Sequence, residues 1–70
     1  MDGTKIIKVL LAKRGINALE LSKKLDCTSA NIYNKFKRNN FSLNELEEIA
    51  EAVDCNLIIE FQDKNTKEMI

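Results

Sequence analysis

Residues 18–38, ALELSKKLDCTSANIYNKFKR, read as two short helices joined by a turn with room for nothing else. Asn17 precedes the first with Glu20 three residues on, close to a capping box, and Leu21 and Leu25 mark its buried side. The spacing predicts a helix from Ala18 to about Leu25. Thr28 is a fitting N-cap for a second helix from Ser29 to about Arg38, which Asn39 and Asn40 end. Between the two lies Asp26-Cys27-Thr28, where Asp26 can adopt a left-handed conformation, though less easily than glycine. The helices must cross closely, and Ser22 is small at that place: a bulkier residue would push the second helix off its angle. Leu21, Leu25, Cys27 and Ile32 are the expected seam.

Outward from this pair, residues 4–14 carry an apolar stripe of Ile6, Val9, Leu10 and Leu11, with Lys5, Lys8 and Ala12 on another face. Asp2 or Thr4 can cap that helix, and Gly15 stops it. Downstream, Ser42-Leu43-Asn44-Glu45 is a full capping box, and Leu43, Leu46, Ile49, Ala50 and Val53 recur at helical spacing. The opposite face of this helix, Asn44, Glu47, Glu48 and Glu51, is acidic. After Asp54 the period changes. Leu57, Ile59 and Phe61 alternate with Ile58, Glu60 and Gln62, which predicts a strand of about seven residues. A lone strand leaves its ladder groups unpaired, so antiparallel pairing with a second copy through Leu57, Ile59 and Phe61 is the expected solution. Residues 1–62 are expected to form one domain and residues 63–70 a fraying tail.

A chain of 70 residues can bury only a modest core, too small to house an elaborate active site. Hydrophobic residues at 44% and charged residues at 31% fit a soluble globular domain rather than a disordered or membrane chain. No apolar run approaches the roughly 18 residues of a membrane span, no signal peptide is evident, and Cys27 and Cys55 read as two reduced, buried thiols. The cytoplasm is the expected compartment. The net charge of zero hides a split: residues 1–40 carry nine Lys and Arg against three acids, residues 41–70 two Lys against eight acids. An enzyme lacks its parts, with no His, no glycine-rich phosphate loop and no nucleophile beside a base. Glu47 with Glu51, and Cys27 with Cys55, lack the further ligands a metal needs, so no metal and no cofactor are expected, and no small-molecule ligand is evident.

The ordered set LAKRGI (11–16), ALELSKKL (18–25), TSANIYN (28–34), then Ser42, Leu43, Leu46, Ile49, Ala50 and Val53, resembles the lambda-repressor-like helix-turn-helix domains of the Cro and phage-repressor (XRE) type. The resemblance covers about residues 5–55. It implies a mainly α, compact bundle of four or five helices, here with a C-terminal strand added, whose partner is double-stranded DNA. It departs from the family at three places: Ala18 replaces a frequent phosphate-contacting Gln, Asp26 the usual turn Gly, and Lys35 a normally apolar residue, for which Phe36 compensates. Carried over position by position, the resemblance assigns Ser29, Ala30, Tyr33, Asn34 and Lys37 to base reading. It assigns Asn17, Lys23, Thr28, Asn31, Lys35, Arg38, Asn39 and Asn40 to phosphates. The chemistry suits these roles: Asn34 matches adenine, Lys37 guanine or phosphate, and Ala30 or Tyr33 a thymine methyl.

Blander readings stand beside these. Lys5, Lys8 and Lys24 read as a solvated face, and Tyr33 has a half-buried packing role as its alternative. Two functions follow from different classes. One is a transcriptional regulator, a repressor by preference, that reads operator DNA as a homodimer; the other is a protein-interaction module on the same scaffold. A polar, basic outer face on the helix at 29–38, with no acid between Cys27 and Ser42, favours the first.

Overall fold

Each helix begins where a side-chain oxygen reaches a backbone amide that the helix itself leaves bare. In the computed structural model, which describes residues 2–70, the elements are α1 (Gly3–Arg14), α2 (Ala18–Lys24), α3 (Ser29–Arg38) and α4 (Leu43–Ala52). Asp2, Asn17, Thr28 and Ser42 accept from the amides of Lys5, Glu20, Asn31 and Glu45 respectively. At α4 the Glu45 carboxylate answers by accepting from Ser42 N at 3.0 Å, completing the capping box. Left-handed residues make the exits: Gly15 at φ 68° closes α1 and Asn39 at φ 51° closes α3, while Asp26 takes φ 55° in the turn between α2 and α3. Four helices are present among the described residues, not a fifth.

The core is the meeting of four stripes. Ile7 and Leu11 of α1, Ala18 and Leu21 of α2, Ile32 of α3, and Ile49 with Val53 at the end of α4 are buried together, with Leu10, Phe36, Phe41 and Leu46 packed alongside. Leu21 is fully sealed at 0% exposure. The stripe expected on α1 is shifted in phase: Ile7 and Leu11 point inward, while Ile6 and Val9 are half exposed. Residues 6–11 offer two overlapping apolar stripes, and the position of the neighbouring helices decides between them. Cys27 and Cys55 are free thiols, half-buried rather than buried.

No C-terminal strand is present among the described residues. Residues 55–61 have no ladder partner among the described residues, and both sides of the alternation face outward, with Ile58 at 76% and Phe61 at 73% exposure. A strand is stabilised by its neighbour's backbone groups, and among the described residues only Ile70 N, on Phe61 O, supplies one there. A dimer through Leu57, Ile59 and Phe61 is accordingly not supported, because the strand that was to carry it is missing. The segment after it holds local bonds of its own: Asp63 N donates to Glu68 O at 2.8 Å, Ile70 N to Phe61 O at 2.7 Å, and a single bridge joins Gln62 to Met69. Asp63 Oδ1 accepts from the amides of Asn65 and Thr66, which turn the chain back and hold the carboxyl below its ordinary pKa, Thr66 contributing most. No helix among the described residues is long and apolar enough to cross a membrane.

Candidate nucleic-acid interface

α3 owes its exposed face to the way its neighbours grip the opposite one. Ile32, at 2% exposure, packs into the core beside Leu21, and Leu25 and Cys27 line the same seam half-buried. Ser22 is 1% exposed at the crossing, its hydroxyl donating to Leu19 O at 2.6 Å, so the small side chain sits in the seam without an unsatisfied oxygen. Phe36 turns toward the core and meets Phe41 at 6.2 Å. It occupies the inward direction that Lys35 could not.

With that face anchored, Ala30, Asn31, Tyr33, Asn34, Lys37 and Arg38 are all exposed, and Ser29 is half-buried at the helix entrance. Tyr33 is 58% exposed and touches Phe36 only edge-on, at 6.5 Å between rings, so its ring is largely open to solvent. Around this face lie Asn17, Lys23, Thr28 and Asn40, all exposed. Asn17 and Thr28 are also the caps of α2 and α3, so their oxygens already hold an amide each.

Two of the expected phosphate residues are engaged inside the protein. Lys35 pairs with Glu45 of the α4 capping box, tying α3 to α4, and its charge is neutralised there. The Asn39 carboxamide oxygen accepts from Thr4 N at 2.9 Å and lies 3.1 Å from Thr4 Oγ1. Sequence reasoning missed both ties. For Lys35 a signal existed: a lysine at an apolar position calls for a counterion. Lys8, read as merely solvated, stands 5.8 Å over the Phe36 ring, within cation–π reach. At the far end of α1, Arg14 Nη2 donates to Cys55 Sγ at 2.8 Å, which raises the guanidinium pKa, and so fastens α1 to the start of the tail.

A short helix braced by its predecessor across a tight turn, with a polar and cationic outer face, defines a helix-turn-helix DNA-binding domain. The family model for the Cro/C1-type HTH DNA-binding domain matches residues 6–64, and the chain belongs to that family. No curated protein and no solved structure matches the chain. Among the described residues no group of three His, Cys, Asp or Glu is placed to hold a metal ion.

Proposed function

We propose that this protein is a sequence-specific transcriptional repressor that lays α3 in the DNA major groove. The observation that carries this reading is the contrast between the two faces of one helix: Ile32 sealed in the core, and Tyr33, Asn34 and Lys37 standing outside in a stretch with no acid between Cys27 and Ser42. Asn34 presents a donor and an acceptor to adenine, Lys37 a cation to guanine or phosphate, and Ala30 and Tyr33 an apolar surface to a thymine methyl. Ser29 sits where the helix enters the groove. Lys23, Asn31, Arg38 and Asn40, with the caps Asn17 and Thr28 beside them, touch the backbone and set register.

One helix of this length brings only a few side chains to base edges, too few to single out an operator by itself. Two copies on a palindromic site, their reading helices about 34 Å apart, double the number read. The protein is therefore proposed to act as a homodimer on DNA. Occupation of the site excludes other proteins from the same duplex, which is repression in its simplest form.

Selection of bound duplexes from random DNA tests the reading: recovery of a shared, two-fold symmetric sequence is expected, and recovery without any consensus overturns specific recognition. A salt titration adds a sharper check. Lys37→Ala is expected to lower the log–log salt slope of the bound dimer by about 1.8, the share of one phosphate contact from each copy. Lys35→Ala is expected to leave that slope unchanged, because Glu45 already holds its charge.

A further inference from the structure

The broad seam with α2 holds the side of α3, yet α3 also has a fastening at its far end. Thr4 N is one of the amides that α1 leaves unpaired at its start, and Phe36 O is one of the carbonyls that α3 leaves unpaired at its finish. Thr4 N donates to Asn39 Oδ1 at 2.9 Å, and Thr4 Oγ1 lies 2.8 Å from Phe36 O and 3.1 Å from Asn39 Oδ1. The hydroxyl has one proton, so it serves these two oxygens in turn, whereas the amide proton belongs to Asn39 alone. The start of α1 and the finish of α3 thus cap each other across 35 positions of sequence. A left-handed exit alone would be met by glycine; the carboxamide adds the link. The corner is close, since a Cβ on Gly3 would lie 3.5 Å from Asn39 Oδ1 and 3.4 Å from the Phe41 ring.

The geometry points to Asn39 as a positioning residue of the DNA interface: with Thr4 it fixes the pitch of α3 against α1 and does not itself touch the duplex. The assignment rests on the reading of α3 as the groove-entering helix. Ten helical residues span about 15 Å, so a pivot of about 10° at the entrance displaces the far end, with Lys37 and Arg38, by about 2.6 Å. Hydrogen bonds to base edges tolerate a few tenths of an ångström. Loosening the clasp should thus spoil base reading while sparing the sequence-independent attraction to phosphates.

The test uses two probes, a duplex recovered by the unmodified protein from random DNA and a scrambled duplex of the same composition. Asn39→Gly keeps the left-handed exit and removes the carboxamide; Thr4→Val keeps the shape and removes the hydroxyl. Each is expected to bind the recovered duplex about tenfold more weakly, the scale of one lost base contact. Binding to the scrambled duplex stays within about twofold. The double variant is expected to lose less than the product of the single losses, as residues in one network do, and Thr4→Ser is expected to keep full selectivity. Equal losses on both duplexes would mean that less protein is folded or that Asn39 meets a phosphate, and would overturn the assignment. So would full affinity in Thr4→Val, which lacks the hydroxyl tie to Phe36 O. If the unmodified protein retains no duplex at all, it is the functional reading that fails. Residual dipolar couplings then judge the clasp alone: a changed angle between α1 and α3 in Asn39→Gly supports it, an unchanged one refutes it.

Discussion

Residues 3–53 and residues 54–70 both carry closely spaced apolar side chains, but their surroundings differ. In the first stretch Ile7, Leu11, Leu21, Ile32, Ile49 and Val53 find one another; in the second, Ile58, Ile59, Phe61, Met69 and Ile70 remain open to solvent. The difference lies in the backbone. A helix pairs its own amides and carbonyls, so its apolar stripe is free to seek a partner; a strand must first find another strand to satisfy its ladder. The same hydrophobicity therefore builds a core upstream and only a coiled surface segment downstream.

The comparison is broken most severely at Leu21. Leu21→Ala is expected to destabilise the bundle by about 2–5 kcal/mol, comparable to the whole stability of so small a domain, and a thermal melt followed by circular dichroism reads the loss. Removing a cap should act on the same region more mildly: Ser42→Ala opens the α4 capping box and is expected to cost about 1 kcal/mol in urea unfolding. The double change Ile58→Ser and Phe61→Ser, by contrast, should alter the free energy of urea unfolding by no more than about 0.5 kcal/mol. A larger loss would show that the tail contributes to the core after all.

The smallest effect is confined to the tail and follows from Asp63. Its carboxylate binds protons more weakly in the closed turn than in an open chain, because the amides of Thr66 and Asn65 hold the charged form. The closed turn is accordingly favoured above the ordinary Asp value of about 3.9 and loosens as pH falls through the lowered one. Amide shifts of Asn65 and Thr66 should move in that acid range.

Much of the fold was legible because its signals are local. Thr28 and Asn39 bracket α3, Ser42 and Glu45 announce α4, and Gly15 ends α1, each within a few residues of the element it governs. The phase of α1 was not legible, since Ile6, Ile7, Val9, Leu10 and Leu11 crowd two stripes into one helix and only the packing partner chooses. The strand misled for the complementary reason: alternation states a preference, and the ladder that would realise it must come from elsewhere. At the candidate interface the residues expected on the outward face of α3 came from the resemblance to the helix-turn-helix family, position by position. The engagement of Lys35 by Glu45 and of Asn39 by Thr4 was not legible, for those partners sit ten and 35 positions away.

The crossing of α2 and α3 is spaced by one β-carbon and one oxygen at residue 22. That side chain is expected to work as a shim, its small size limiting how closely the outer helix approaches α2 and so how far it protrudes. Alanine at this place would preserve the gap, since the oxygen it removes bonds only within its own turn. Any longer side chain would lift the helix, and its reach into a groove would change without any residue of the outer face having been altered.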